Sequence, residues 1–307
     1  MNALMSTLFF FSVLMPTKLW FAPDQPVTVR VKADEPVNLV LVDFLGRVID
    51  TQQQTNVTEE KDVDLRQVFP AMSPGTTYVL YAVPAGKALP TFVGTPLVVQ
   101  MRRDKRLGAQ PGLIAVRVEP LRYLKMSTDK GDMEIAFYYD AAPNTVNNFF
   151  NLADGGYFND QVFHRIIPGF VIQGGDPLGT DPKRGGTGGP GYMIDAEFND
   201  RRHNKGVLSM ARQGDPLESQ GMPPRSDAAN SASSQFFICL DYARTKALDG
   251  KYTAFGEVVT GMETVDALAA VPTGPNDRPN DPPKIKSAKV VPVLPGENPY
   301  AKLLRSE

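Results

Sequence analysis

The chain has 307 residues, of which 42% are hydrophobic and 21% charged, a length and balance typical of a globular protein with about two domains. Its formal net charge of -2 argues against a nucleic-acid-binding protein, because such proteins need a basic surface that displaces counterions from phosphates. One cysteine and two histidines exclude an internal disulfide and argue against a metal site built from thiolates or imidazoles. We therefore expect no metal.

Residues 1–18 are largely apolar and have two interpretations. Residues 4–15 have the length of a signal-peptide core and are too short to span a bilayer. No Lys or Arg precedes them, no A-x-A-like cleavage site follows them, and residues 18–31 continue as a first β-strand. The sequence leaves export to the cell envelope and cytoplasmic retention open, and it predicts no transmembrane anchor.

Residues 19–101 consist of short β-patterned runs separated by turn residues. Residues 27–31 alternate strictly between apolar and polar, while residues 77–83 and 95–101 are rich in β-branched or aromatic side chains. This spacing predicts a small antiparallel β-sandwich, for which an Ig-like arrangement is a fold analogy only. No catalytic constellation is visible in it, so a spacer or docking module is the favoured role. Residues 102–120, charged and then containing Gly and Pro, are predicted to be a linker.

Residues 121–295 are predicted to form a second, mainly β domain. Residues 140–158 read as one amphipathic helix with Pro143 in its first turn, and residues 261–271 read as a second helix. About eight strands accompany these two helices, a content that fits a closed barrel capped at its ends. Residues 296–307 are predicted to be a tail.

One stretch, "FHRIIPGFVIQGGD" at residues 163–176, places Arg165 and Gln173 on two short apolar strands around a Pro-Gly turn. A guanidinium on a core strand costs several kcal/mol unless it is paired or open to a ligand. By strand parity, Gln235 shares a face with Phe237. If these faces converge, they form a groove with an apolar floor and a few fixed donors, which suits a peptide. The alternative, in which Arg165 pairs with a nearby carboxylate on the surface, is equally compatible with parity.

Other groups that could carry chemistry have simpler interpretations. Ser209 and Cys239 lack the sequence of a nucleophile elbow and are predicted to be packing residues. The glycine-rich residues 184–191 lack the residue order of a phosphate-binding loop, so a loop beside a groove is the better interpretation. His164 alternates with Arg165 along the strand and is predicted to be a core histidine.

Five motifs follow one another along the second domain. They are "FHRIIPGFVIQGGD", "GTGG", "GVLSMA", "SQFFI" and "LDGKYTAFGEV". In order and spacing they resemble the successive motifs of the cyclophilin family of peptidyl-prolyl cis-trans isomerases, over about residues 122–293. The resemblance implies an eight-stranded antiparallel barrel capped by two helices, with no cofactor or metal. It also implies catalysed rotation about X-Pro bonds of proline-containing polypeptides, in support of protein folding.

The resemblance also implies roles for single residues. Arg165 would be the catalytic arginine, assisted by Gln173, which fixes the peptide backbone. The residues implied to line the proline groove are Phe170, Val171, Ala211, Gln235, Phe237, Leu248 and Tyr252.

The sequence departs from the family's usual residues at several positions. Tyr252 stands where many members have histidine, and its hydroxyl can still hold a peptide carbonyl. Val171 is smaller than the methionine common at its position. Ala247 replaces a tryptophan of the cyclosporin-sensitive members, which predicts weak cyclosporin binding. Residues 212–233 form a much longer loop than in minimal members, and the sequence leaves open whether it is mobile or gates the groove.

Two alternatives to the enzyme remain at this point. The chain could be a proline-directed binding or chaperone module with little turnover, whose N-terminal domain recruits a partner. It could also act chiefly as a cell-envelope interaction protein through residues 19–100.

Overall fold

The computed structural model of the chain describes residues 13–54, 57–103 and 113–303. The chain divides into two compact units, Met1–Arg122 with Pro292–Glu307 and Tyr123–Val291. The possible signal segment, residues 1–18, lies outside the described residues except for residues 13–18. Within the described residues, no helix is long and apolar enough to cross a membrane.

The first unit contains two β-sheets. Its described strands are β1 (Leu14–Pro16), β2 (Trp20–Phe21), β3 (Thr28–Val31), β4 (Val37–Asp43), β5 (Val48–Gln54), β6 (Lys61–Asp64), β7 (Thr77–Pro84), β8 (Val93–Arg103) and β9 (Leu113–Pro120). Their order is β1-β3-β6 in a three-stranded sheet and β2-β9-β8-β7-β4-β5 in a six-stranded sheet. One short helix, α1 (Leu65–Val68), follows β6. The alternation predicted in residues 27–31 places Val29 and Val31 in the core of this unit. The prediction of a separate N-terminal β domain is confirmed.

The segment predicted as a linker is partly a strand. Residues 104–112 lie outside the described residues, but residues 113–120 form β9, which pairs antiparallel with β8. Val116 and Val118 alternate with polar residues and are fully buried. The charged and Gly/Pro-containing residues before β9 led to the prediction of a linker, because the alternating pattern that follows them is short. Residues 113–120 belong to the sheet and not to a linker.

The C-terminal residues, predicted as a tail, form part of the first unit. They carry helix α6 (Tyr300–Leu303), in which Tyr300 is 1% exposed. The Tyr300 hydroxyl donates to the carbonyl oxygen of Arg122 at 2.7 Å, and its ring packs edge-on against Phe44 with centroids 6.2 Å apart. An aromatic side chain held in this way anchors the segment, because pulling it out would expose its apolar area and break its hydrogen bond.

The second unit contains the eight-stranded sheet expected from the sequence. The strands are β10 (Arg122–Thr128), β11 (Gly131–Phe137), β12 (Arg165–Ile167), β13 (Val171–Gly174), β14 (Val207–Met210), β15 (Phe236–Cys239), β16 (Ala254–Thr260) and β17 (Ile285–Pro292). Their order is β12-β13-β15-β14-β16-β11-β10-β17. A bridge between Val162 and Lys284, just before β12 and β17, links the two edges of the sheet. This topology confirms the prediction of a mainly β domain with eight antiparallel strands.

Two longer helices accompany this sheet, together with several short ones. The helices are α2 (Pro143–Asp154), α3 (Ser226–Ala229), α4 (Tyr242–Thr245) and α5 (Met262–Ala269), and 3-10 turns occupy Pro216–Gln220, Lys246–Leu248 and Pro275–Asp277. Pro143 lies in the first turn of α2, where its missing N–H costs no intrahelical hydrogen bond. The predicted apolar face is buried and brings Phe149 into the core of the sheet. The two helices predicted from periodicity are therefore α2 and α5.

Candidate active site

Strands β12 and β13 form a hairpin that places Arg165 directly opposite Gln173. Directly opposed residues on antiparallel strands project from the same face of a sheet, so the two polar side chains are neighbours. The next strand along the sheet, β15, pairs Gln173 with Phe237 and Val171 with Cys239. The three strands thus bring one cation, one amide and an apolar floor to one face.

The apolar side of this face is a contiguous group that we call the pocket cluster. It consists of the buried residues Val171, Phe237 and Cys239, with Ile167, Phe170, Ala211, Leu248 and Tyr252 packed against them. All six apolar or aromatic residues predicted to line the groove are in this cluster. Ile167 and Cys239 were not predicted, although parity with Phe237 would have identified Cys239 as a residue of the same face.

The two glutamines are fixed by hydrogen bonds to each other and to the backbone. The Gln173 side-chain amide donates to Oε1 of Gln235 at 2.9 Å, and the Gln235 amide donates to the carbonyl of Gly188 at 2.9 Å. Gly175, at φ 84°, allows the end of β13 to approach the Ser234 backbone, because a Cβ at this position would collide with the Ser234 carbonyl. Both predicted amides are therefore held beside the pocket cluster in defined orientations.

Arg165 has a carboxylate partner in the structure. Its Nε and Nη2 each lie 3.3 Å from Oδ2 of Asp277, and the two side chains are 43% and 42% exposed. A pair this open to water is held weakly. Both interpretations from the sequence thus apply, since Arg165 lies beside an apolar groove and also pairs with a carboxylate.

Tyr252 forms a wall of the pocket cluster under the guanidinium of Arg212. The Tyr252 ring meets Phe237 edge-on with centroids 5.8 Å apart, and the carbon of the Arg212 guanidinium lies 4.2 Å from the Tyr252 ring centroid. Burial raises the pKa of the Tyr252 hydroxyl. The phenol therefore remains a neutral hydrogen-bond donor at physiological pH.

The long loop at residues 212–233 is tied down at its start. Arg212, with a side chain only 2% exposed, binds both carboxylate oxygens of Glu218 at 2.6 and 3.0 Å, and its Nε donates to the Lys251 carbonyl at 3.0 Å. Hydrogen bonding to Arg212 lowers the pKa of Glu218. Asp215 caps the 3-10 turn that carries Glu218, and it also accepts hydrogen bonds from Arg225. The loop thus carries an internal network connected to Tyr252 through Arg212.

A Ser-His-Asp arrangement with a buried serine and histidine and a partly exposed aspartate lies next to the pocket cluster, and it was missed from the sequence. His203 approaches Asp249 through Nδ1 at 2.8 Å and Ser209 through Nε2 at 3.0 Å, and its ring stacks on Phe237 with centroids 6.3 Å apart. Both His203 and Ser209 are 0% exposed, so no substrate can reach the hydroxyl. Burial lowers the pKa of His203 and raises that of the Cys239 thiol. These groups therefore support the floor under Phe237 and do not act as nucleophiles.

A cavity of about 850 Å³ continues the groove past the two glutamines. The glycine-rich loop at residues 186–191 lines it on one side, and Ala211, Arg212 and Ser233 line another part of its wall. Its lining also includes Tyr192 and Met193, which the motif comparison did not single out. Within the described residues, no group of three His, Cys, Asp or Glu side chains could hold a metal ion.

The sequence of the chain is similar to those of known proteins. Residues 123–290 match the family model described as "Cyclophilin type peptidyl-prolyl cis-trans isomerase/CLD". The chain is 42% identical over 167 residues to "Peptidyl-prolyl cis-trans isomerase ppi1" of Schizosaccharomyces pombe, covering 54% of this chain and 96% of that protein. It is 30% identical over 270 residues to "Peptidyl-prolyl cis-trans isomerase-like 2" of Rhizopus delemar, covering 83% of this chain and 47% of that protein.

The solved structures that are similar to the chain include a cyclophilin type peptidyl-prolyl cis-trans isomerase of Cryptosporidium parvum in the presence of the dipeptide ala-pro, with 31% identity and a TM-score of 0.47. The match covers 55% of this chain and 98% of that chain.

Proposed function

Because the chain belongs to the family of cyclophilin-type peptidyl-prolyl cis-trans isomerases, we propose that its catalytic site is the groove formed by Arg165, Gln173 and the pocket cluster. Its function is the rotation of X-Pro peptide bonds in proline-containing polypeptides. The observation that carries the assignment of the site is the convergence of one guanidinium and two fixed amides on a single apolar group.

Arg165 is assigned the electrostatic role. Amide resonance gives the C–N bond a rotation barrier of about 18–20 kcal/mol. A guanidinium that donates toward the prolyl nitrogen and the adjacent carbonyl weakens this resonance as the bond twists. No covalent step is required. Each 1.36 kcal/mol removed from a barrier gives about a tenfold increase in rate. A cationic donor beside the twisting bond in a partly dry groove can therefore raise the isomerisation rate by several factors of ten.

The pocket cluster and the glutamines are assigned the binding roles. Phe237, Val171 and Leu248 hold the proline ring through apolar contact. Gln173 and Gln235, which hydrogen-bond each other, fix the backbone of the peptide. The Tyr252 hydroxyl donates to a peptide carbonyl. Binding of the peptide by these residues accelerates rotation only because it favours the twisted peptide bond over either planar isomer.

The experiment that tests the function is the cis-to-trans rate of a short Xaa-Pro peptide with and without the purified protein. Acceleration in proportion to protein concentration supports the enzyme. If the peptide binds but isomerises at the uncatalysed rate, the second candidate, a proline-directed binding or chaperone module, is correct. The observation that favours this candidate is the Arg165–Asp277 pair, which occupies two donors of the proposed catalytic guanidinium.

Weak cyclosporin binding is expected because Ala247, in the 3-10 turn that also carries Leu248, offers no large aromatic surface to the inhibitor. We expect Ala247→Trp to increase the inhibitory potency of cyclosporin by at least about tenfold, since an aromatic side chain adds a large apolar contact and a polar N–H. The measurement is the inhibition constant in the isomerase assay, with Ala247→Leu as the control for added bulk. Tight inhibition of the unmodified protein would contradict the prediction.

Glu218 is expected to maintain the substrate affinity of the groove. Glu218→Gln removes the charge that anchors Arg212, so the guanidinium no longer rests firmly on Tyr252. We expect KM to rise roughly three- to tenfold with little change in kcat, because the wall of the groove contacts ground state and transition state alike.

The matched control is Asp227→Asn, which removes an exposed carboxylate from the same loop without touching Arg212. A mobile loop with no positioning role would give two variants with the same KM. Rescue of KM by Glu218→Asp, which restores the charge on a shorter side chain, would separate the ion pair from loop packing.

A further inference from the structure

A second cavity, of about 760 Å³, adjoins the proposed catalytic groove and shares Arg165 and Gln173 with it. Its other walls come from two loops, one at residues 182–186 after β13 and one at residues 274–280 between α5 and β17. An extended polypeptide advances about 3.3 Å per residue, and because this cavity shares two residues with the groove, a residue a few positions from a proline bound there can reach it.

The charged side chains that line this cavity are all cationic. Three cationic side chains line it, those of Arg165, Lys183 and Arg278, and no Asp or Glu side chain does so. Arg278 donates hydrogen bonds to the carbonyl oxygens of Gly179 and Thr180, at 3.0 and 2.9 Å. Because these acceptors carry no net charge, the positive charge of Arg278 is not neutralised by them. Among the described residues, Lys183 forms no side-chain ion pair.

Two carboxylates near this cavity bind groups other than the side chains of Lys183 and Arg278. Asp176 accepts hydrogen bonds from the backbone N–H groups of Leu178 and Gly186, and Asp181 pairs with Arg184 at 2.7 Å. His164, which also lines the cavity, is 5% exposed, and neither of its ring nitrogens has a hydrogen-bond partner in the described residues. Burial lowers the pKa of His164, so it adds a neutral polar group and no negative charge.

Asp277 shows that this region accepts a carboxylate. It lies at φ 59°, directly after Asn276 at φ 59°, and two consecutive non-glycine residues in the left-handed region are uncommon. This turn holds the Asp277 carboxylate against Arg165 at the edge of the cavity. Because both side chains are about two-fifths exposed, an incoming carboxylate can replace or join Asp277 at little cost.

Resting on the proposed isomerase function, we propose that this cavity is a subsite for an acidic side chain of the substrate polypeptide, close to the isomerised proline. Lys183 and Arg278 are its specificity-determining residues, and they recognise the carboxylate of Asp or Glu. The subsite selects clients whose proline has an acidic neighbour, whereas the pocket cluster recognises the proline itself.

The test uses the full chain and a set of peptides with one Xaa-Pro bond. The residues on each side of the Xaa-Pro pair are changed in turn to Glu, Gln or Lys. We expect one position at which Glu raises kcat/KM about three- to tenfold over Gln and Lys lowers it, with the preference shrinking as salt is added. The variant Lys183→Gln, and the double variant Lys183→Gln with Arg278→Gln, should abolish the difference in kcat/KM between Glu and Gln peptides, with the Gln peptides as the internal reference for any general loss of activity. Lys289→Gln, which removes an exposed lysine from β17, is the charge-matched control and should keep the preference.

Two failures are distinguishable in this design. If the Gln peptides are isomerised and Glu gives no advantage at any position, the subsite proposal is wrong and the isomerase function stands. If no peptide is isomerised, the proposed function fails, and the binding affinities of the same peptides, measured by fluorescence anisotropy, then decide the subsite. Equal affinities for Glu and Gln peptides would overturn it, and a Glu preference lost in Lys183→Gln would support it.

Discussion

Arg165→Ala is expected to lower kcat/KM for isomerisation of an Xaa-Pro peptide by roughly 10²–10³-fold, the usual cost of removing one preorganised donor from a transition state. The fold should survive, because the Arg165 side chain is 43% exposed and its truncation leaves no cavity in the core. The loss should appear mainly in kcat, since the guanidinium acts on the twisted bond and contributes less to holding the planar substrate. The measurement is the isomerisation rate at matched concentration of folded protein.

Arg165→Lys is the informative companion. It retains a positive charge and loses the planar fork of donors, so we expect it to recover only part of the lost rate. Asp277→Asn tests how the ion pair with Asp277 affects the activity of Arg165, because it removes the carboxylate charge that binds Nε and Nη2 of Arg165. An Arg165→Ala protein with undiminished kcat would remove Arg165 from the mechanism and leave the groove as a binding platform.

Phe149→Ala is expected to destabilise the second unit by about 3–5 kcal/mol, the range measured for removal of a buried aromatic ring. Phe149, on α2, is 1% exposed, and its ring contacts Phe137, Phe158, Phe236 and Phe255 with centroids 4.6 to 5.7 Å apart. These four rings come from separate parts of the chain and cannot close the space together without moving the strands that carry them. A cavity therefore remains, and its cost adds to the lost transfer free energy.

Urea unfolding followed by near-UV circular dichroism measures this loss. The only tryptophan of the chain, Trp20, lies in the first unit, so its fluorescence follows the unfolding of that unit separately. Phe149→Leu should lose clearly less, since leucine refills part of the volume. Activity at a temperature where Phe149→Ala is folded should stay near that of the parent. Equal stability of Phe149→Ala and the parent would mean that the rings around α2 repack freely.

These two predictions separate the roles of the two kinds of residue in the second unit. Arg165 is partly exposed, contributes little to stability and carries the proposed chemistry. Phe149 is fully enclosed and touches no proposed substrate-binding residue in the ring contacts described above. Asp277 bears on both proposed sites, because it pairs with Arg165, which lines the second cavity as well as the proposed catalytic groove.

The sequence alone determined the features that depend on short-range periodicity or on contiguous motifs. The apolar spacing around Val146 and Phe149 predicted α2, and the Pro-Gly turn predicted the hairpin that sets Arg165 opposite Gln173. The order of the family motifs predicted the pocket cluster apart from Ile167 and Cys239. Each of these inferences needs only residues a few positions apart, or motifs whose order along the chain is directly readable.

Tertiary structure decided what depends on partners distant in sequence. The pairing of Arg165 with Asp277 joins residues 112 positions apart, and the contact between His203 and Asp249 joins residues 46 positions apart. The position of β9 also depends on a tertiary contact, because this strand pairs with β8 although the residues before it resemble a linker. Tyr300, near the C-terminus, likewise packs in the unit that contains the N-terminal residues. Local sequence propensity does not predict such contacts, because these hydrogen bonds form and these side chains become buried only when distant parts of the chain come together.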